Sequence, residues 1–490
     1  MSGCVAAILY EMNLTKGEVS RAVMGLCSCV FTADLSIEIR MAPARQRTRD
    51  MISSDSALPP SAVDRRLAYR LVIPAVMLCV YGALALLWHC ERWVYFEVLR
   101  FLGIDPFRFP FLDIHAVLAA AECQRLGVDV YLSNPCDAIN RPHVYSPLWL
   151  AVTPVFFGTK ATLWVGLSLD LLFILSLATV LHPCTSRGML VYGLAVLSPM
   201  TIYALERANN DLVVFVLILS GGMLFMAPRP YRLCSYALFV VAGLLKYYPL
   251  VLVVLLARER RRVAVAVVIA IGLTLISLSV YFHLELVKAL ANIPAQSYFA
   301  DSFSAQNLPF GLGEVLGGGF SRTAIDVSLL VALLAIAAAR TARTIRLLDR
   351  EILDWNGTQI RWLAIGGLLT IACFVAGQNI DYRGIYFLIV IPGLVYMRRS
   401  AKGAVVRLLC ARMIVAVVLV MWEEFFRHAL HVITGPIPDK GLSRPEVFFW
   451  IGRELVWWWL VAGLAAIVLS YLRRLPLVQG SVVLSGSRGV

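Results

Sequence analysis

The sequence predicts an all-α polytopic membrane protein, with about twelve transmembrane helices joined by extracytoplasmic loops. Three observations predict it. Hydrophobic residues make up 60% of the 490 and charged residues 15%, and mean hydropathy is +0.77. A soluble chain has roughly 45–50% apolar and 25% charged residues, so the excess apolar surface here must face lipid. The apolar residues fall in long runs, and the basic residues fall in short clusters between alternate runs. The +13 net charge is therefore a loop-facing-membrane pattern rather than a nucleic-acid signal. Composition excludes a soluble enzyme, a disordered chain and a disulfide scaffold.

The elements follow in chain order. Residues 1–66 read as a cytoplasmic, disordered segment, because Met41 to Arg66 is polar and contains Pro. The apolar stretch Val23 to Ala33 lacks a basic region near the start, which argues against a signal peptide. Met41 and Met51 stand as alternative starts. Residues 67–475 form the membrane domain, and 476–490 a cytoplasmic tail. Candidate spans lie near 71–88, 161–181, 188–204, 211–227, 234–245, 248–257, 263–283, 323–339, 361–377, 383–397, 407–422 and 450–472. Arg65, Arg66 and Arg70 put the N-terminus inside. Alternation then puts Arg187, the pair Arg229 and Arg232, and Arg258 to Arg262 on the same side. Arg340 to Arg350, Arg398 to Lys402, and Arg473 with Arg474 join them, so both termini are cytoplasmic at a plasma membrane.

Two stretches need a choice. Ser235 to Ala257 is long enough for one span, yet both flanks are basic. A break at Lys246-Tyr247-Tyr248-Pro249 keeps both flanks inside and brings Lys246 to the outer face. Ser146 to Phe157 is short and Pro-bounded, and reads as re-entrant. The remaining polar character then collects outside: the first loop (89–145), Leu284 to Arg322, ERANND (Glu206 to Asp211), GQNIDYR (Gly377 to Arg383), and Glu423 to Phe449.

Asp113 stands just before an apolar helix-like run, with His115 close by. It is either a helix N-terminal acid or a general base at the membrane surface. Arg207, Asn209, Asn210 and Asp211 in ERANND form either a solvated turn or a site, since drawing such charges into lipid costs about 2.5–3.5 kcal/mol each. Lys246, Tyr247 and Tyr248 read as a snorkelling Lys with interfacial aromatics, or as a phosphate contact. Asp381 and Arg383 either pair with each other or leave Arg383 to fork onto a phosphate. His428 and His431 share a helix face with Glu424, an incomplete set for a metal, and none is expected. Cys79, Cys234, Cys373 and Cys410 read as small buried hydrophobes, and Cys123 with Cys136 as a candidate disulfide. No nucleotide-binding loop is present.

The order of motifs carries a resemblance. FxDIHAxxxAAxxxxxGxDxY is followed by HVYSPLW, LERANNDLVVFVLIL, AGLLKYYPLVLV and NIDYRGIYFLIVIPGL. This resembles glycosyltransferase family 87, polyprenyl-phosphate-mannose-dependent mannosyltransferases of the GT-C fold, over roughly residues 70 to 400. The resemblance implies a membrane glycosyltransferase with a polyprenyl-phosphate sugar donor, typically carrying mannose, and a lipid or glycan acceptor. It implies Asp113 as the general base, while His115 either orients Asp113 or touches the sugar. Lys246, Arg383 and Arg207 would hold the leaving phosphate, without a cofactor. The alternative is a secondary transporter or lipid-linked-sugar flippase, which also uses broken helices. Against it, the halves show no internal repeat, and the polar residues gather at one face.

Overall fold

A computed structural model describes residues 60–181, 186–293, 297–299, 301–316, 322–434 and 443–479. The expectations for residues 1–59 and 480–490 lie outside the described residues. The chain there is almost entirely helical. Its first part runs through Pro60–Cys90, Arg92–Phe101, Leu112–Arg125, Pro147–Val152, Thr162–Ser176, Ser186–Val196, Pro199–Glu206, Asn210–Met226 and Arg229–Leu245. A 3₁₀ helix, Tyr248–Arg258, then leads to Arg261–Tyr281, His283–Ala291, Asn307–Leu316, Arg322–Leu348 and Thr358–Ala376. A second 3₁₀ stretch, Asp381–Tyr386, precedes Phe387–Ser400, Ala404–Met421, Glu423–Thr434 and Arg444–Leu472.

Local chemistry sets several of these boundaries. Ser198 caps the Pro199–Glu206 helix by accepting from the Thr201 N–H, with Pro at the first position. Ser146 caps Pro147–Val152 in the same way. Ser443 and Glu446 form a reciprocal capping box ahead of the long last helix.

Every expected apolar stretch is helical, but length sorts them. Among the described residues, seven helices are long and apolar enough to cross a bilayer, and the bent pair Arg187–Val196 and Pro199–Glu206 makes an eighth if it is one span. The other stretches are shorter helices, such as Asn210–Met226 and the 3₁₀ segment Tyr248–Arg258. Of about twelve expected transmembrane helices, several of them short, seven or eight among the described residues pass by length and composition. Short helices survive because neighbouring protein, rather than lipid, surrounds them.

Burial separates centre from periphery. Two-thirds of the apolar window is buried in Thr358–Ala376 and in Arg444–Leu472, against 6% in Arg261–Tyr281 and in Ala324–Leu348. The first pair forms the centre, where Trp457 stacks on Phe303 with ring centroids 4.1 Å apart. The second pair is apolar on exposed faces, as helices in contact with lipid must be. Close helix approach uses small residues. A Cβ at Gly222 would fall 2.2 Å from the Trp362 ring.

The stretch from Arg229 to Arg258 turns back on itself. Tyr236 on the first half donates its hydroxyl to the Leu255 carbonyl on the second, at 3.3 Å. Arg232 and Glu259, at the two far ends, form an ion pair. Both basic flanks thus lie at one end of the bundle and Lys246 at the other. The Ser146 to Phe157 stretch is a six-residue helix followed by an exposed turn at Val155 and Phe156. Cys123 and Cys136 are bonded. Cys373 and Cys410 are buried as expected, but Cys79 and Cys234 are exposed on outward helix faces.

Candidate active site

Asp113 lies in the first turn of the Leu112–Arg125 helix. That helix is anchored by backbone to the ERANND turn. The Phe111 N–H donates to the Glu206 carbonyl at 2.9 Å, and the Asp113 N–H donates to the Arg207 carbonyl at 3.1 Å. Phe111 takes a left-handed conformation to start the helix there, with φ 65°. Ala208 does the same within the turn, with φ 41°. Two bends in the chain thus bring residues about a hundred positions apart into contact.

Asn209 joins the two segments chemically. Its carbonyl oxygen caps the Asn210–Met226 helix by accepting from the Asp211 N–H at 2.8 Å. Its amide donates to Asp113 Oδ2 at 2.5 Å. The other Asp113 oxygen faces two guanidiniums, Arg207 at 3.5 Å and Arg141 at 3.6 Å. Arg207 is held between the rings of Phe107 and Tyr203. Arg141 is held by Asp137 and by the Leu112 carbonyl. Burial raises the Asp137 carboxyl, but the Arg141 hydrogen bonds and charge outweigh it and leave Asp137 below the usual carboxylate range. Asp113 itself is 4% exposed, so its carboxylate is fixed on all sides but one.

A second cluster adjoins the first. Lys246 interrupts its helix in an extended conformation and donates to Asp211 Oδ2 at 2.7 Å. Arg383 Nε donates to the same oxygen at 3.3 Å, and Tyr248 donates to the other oxygen. Asp211 is fully buried and serves as their shared counter-ion. Lys246 also lies within 6 Å of the Tyr145 and Tyr382 ring centroids.

Both clusters open onto one cavity of about 720 Å³. Its polar wall carries Asp113, Arg141, Arg207, Lys246 and Arg383, with Tyr145 and Tyr382. Its other wall is apolar, built from Leu275 and Leu278 on the peripheral Arg261–Tyr281 helix, Phe282 at its end, and Leu286 and Leu290. Four cations line this space, and three carboxylates pair with them (Asp113, Asp137 and Asp211). A fourth acid, buried Glu206, also faces the Arg207 guanidinium from outside the cavity wall.

Sequence expectations divide here. Asp113, Arg207, Lys246, Tyr247 and Arg383 line the cavity. Asn209, Asp211 and Tyr248 stand behind them as hydrogen-bonding supports. His115 does not join them: its ring packs on Phe109 and bonds Thr162 at 3.0 Å. Residues two apart on a helix point in different directions, so His115 cannot share the face of Asp113. Asn210 is buried without lining the cavity. Asp381 pairs with neither Arg383 nor the first cavity, because Arg383 bonds Asp211 and Asn379 instead. The His428, His431 and Glu424 set also separates. His431 bonds Glu446, and Glu424 bonds Arg427. Sequence reading does not single out Arg141, His143, Tyr145 and Tyr382, although three of them stand inside quoted motifs and Arg141 two positions before one.

Residues 143–358 match the model of Glycosyltransferase family 87. That match covers a little under half of the chain and, with the long apolar helices, supports a membrane glycosyltransferase. The matched stretch contains ERANND and Lys246, while Asp113, Arg141 and Arg383 lie on either side of it. No curated protein and no solved structure matches the chain.

Proposed function

We propose that this protein acts as a family 87 glycosyltransferase and transfers a sugar, mannose being the first candidate, from a polyprenyl-phosphate donor to a hydroxyl of a lipid or glycan acceptor. The observation that carries this reading is the shared cavity, with one carboxylate, four cations and an apolar wall. The apolar wall suits the polyprenyl chain. Lys246 and Arg383 suit the phosphate, since both already point charged donors at one place. Asp113 acts as general base.

The chemistry follows from that arrangement. The acceptor hydroxyl attacks the anomeric carbon as its proton passes to Asp113. The bond from that carbon to the phosphate oxygen breaks, and its electron pair leaves with the phosphate. The transition state is oxocarbenium-like, and a second negative charge develops on the phosphate. Lys246 and Arg383 stabilise that developing charge from largely buried positions. One displacement on the face opposite the leaving group inverts the anomeric centre. Arg141, Arg207 and Asn209 hold the base within reach rather than reacting themselves.

The proposed reaction runs at the extracytoplasmic face of the plasma membrane, and the basic connectors expected on the opposite side support that reading. Membranes containing the protein, supplied with labelled polyprenyl-phosphate mannose, test the reading. Transfer that is lost in Asp113→Asn supports it, and undiminished transfer in that variant removes Asp113 from the base role.

A further inference from the structure

A second cavity, of about 420 Å³, lies on the other side of Arg207 from the first. It is lined by Asp105, Asp301, Asp381 and Glu424, with Arg207 and Arg427. At its edge the carboxylate oxygens of Asp381, Glu423 and Glu424 come within 4.8 Å of one another. All three residues are buried, Asp381 completely.

The surroundings do not neutralise them. Four buried acids gather here, because Glu454 adjoins Glu423. Arg453 bonds Glu454 at 2.6 Å and lies 3.7 Å from Glu423, and Arg427 bonds Glu424. Arg207 is committed to Asp113. Two guanidiniums therefore face four acids among the described residues, so the cluster must hold protons or a further cation to be balanced. Independently, among the described residues no N–H or hydroxyl donor reaches either oxygen of the fully buried Asp381, whose carboxyl meets that of Glu423, and one oxygen of Glu424 meets none. Buried carboxylates are normally paired, hydrogen-bonded or bound to a metal.

We infer that Asp381, Glu423 and Glu424 bind a hard divalent cation of the size of Ca²⁺ or Mn²⁺, with water from the second cavity completing its shell. Three oxygens within 4.8 Å of one another lie no more than about 2.8 Å from a common point, so shifts of a few tenths of an ångström bring all three to a Ca²⁺–oxygen distance of about 2.4 Å. An all-oxygen set favours Ca²⁺, Mg²⁺ or Mn²⁺ over zinc or copper. The ion has a mechanical place in the fold. The Asp381 N–H donates to the Asp301 carbonyl, and Asn379–Ile380 pairs with Ser302–Phe303. Cation binding would fasten this strap, which carries Tyr382 and Arg383 into the first cavity, to the Glu423–Thr434 helix. The inference does not depend on the sugar-transfer reading.

Full-length protein in nanodiscs, stripped with EDTA and exchanged into metal-free buffer, tests it. Mn²⁺ is titrated in with its free concentration read by electron paramagnetic resonance, and ⁴⁵Ca²⁺ binding is read by filtration. Wild type is expected to bind about one ion per chain saturably, with a thermal midpoint a few degrees higher when the ion is bound. Asp381→Asn and Glu424→Gln should each weaken binding tenfold or more. Asp105→Asn, which lines the same cavity outside the triad, should keep it. If Asp381→Asn does not fold, Glu424→Gln and the wild-type titration still decide. Wild type without saturable Mn²⁺ or Ca²⁺ binding would overturn the inference and leave shared protons to balance the acids. Binding that survives in both variants would overturn it equally, by moving the ion elsewhere.

Discussion

At the residue scale, Asp113 gains its position from side chains that the sequence scatters widely. Asp113→Asn preserves the shape and the contact with Asn209 but removes the proton acceptor. Turnover should fall by a hundredfold or more, with the protein still inserted and folded. Lys246→Ala should act differently, by weakening use of the donor more than use of the acceptor; equal loss of both in steady-state kinetics would count against a phosphate role. His143 carries a pH prediction. Burial lowers its pKa to about 4, so the folded chain resists protonating it. Stability present above the unfolded value of about 6.5 should be lost progressively as pH falls toward 4. His143→Phe should flatten that part of the thermal-midpoint profile, and an unchanged profile would assign the pH dependence to other groups.

Residue scale is also where sequence reading succeeds and fails for identifiable physical reasons. Lys246 was legible because a charge three positions before Pro249 breaks a run that is otherwise apolar. Asp211 was legible as a site residue but not as a counter-ion, because its partners Lys246 and Arg383 are 35 and 172 positions away. Arg141 looks like any loop arginine until the fold sets it against Asp113. The separation of His115 from Asp113 follows from helix spacing alone. For Asp381 and Arg383, nearness in sequence suggests a pair that the fold does not make.

At the scale of elements, the site depends on one helix starting in the right place. The Leu112–Arg125 helix begins at Phe111, whose ring lies against Gly166 of the Thr162–Ser176 helix. A Cβ at Gly166 would fall 2.4 Å from that ring. Gly166→Val should therefore push Phe111 aside and move Asp113 with it. Misplacing a reacting group by about 1 Å can cost about a hundredfold in rate, so turnover should fall by roughly ten- to a hundredfold without loss of insertion. Normal turnover in this variant would show that the loop helix tolerates the shift. Helix positions were legible because apolar runs mark them. Helix lengths were less so, because the sequence does not reveal which runs are surrounded by protein and need not match the bilayer.

At the scale of the whole molecule, one end of the bundle collects the chemistry and the other collects the basic connectors. The Arg229 to Arg258 turn makes this concrete, with the Arg232–Glu259 pair at one end and Lys246 in the cavity at the other. Fusion reporters at Ser186 and Ala342 should both read cytoplasmic, and an external reading at either would break the orientation. The sidedness of charge was legible from composition. The meeting of the first loop, ERANND, Lys246 and Arg383 in one cavity was legible only as a common face, because packing sets its depth and its pairings.

The most direct test of the central claim is transfer of labelled mannose from polyprenyl-phosphate mannose in nanodiscs, with native lipid extract as acceptor source. Wild type should form a labelled glycolipid that Asp113→Asn does not form, while donor binding persists in the variant. Equal labelling by wild type and Asp113→Asn would contradict a base at Asp113, and donor binding unaffected by Lys246→Ala together with Arg383→Ala would contradict the phosphate site.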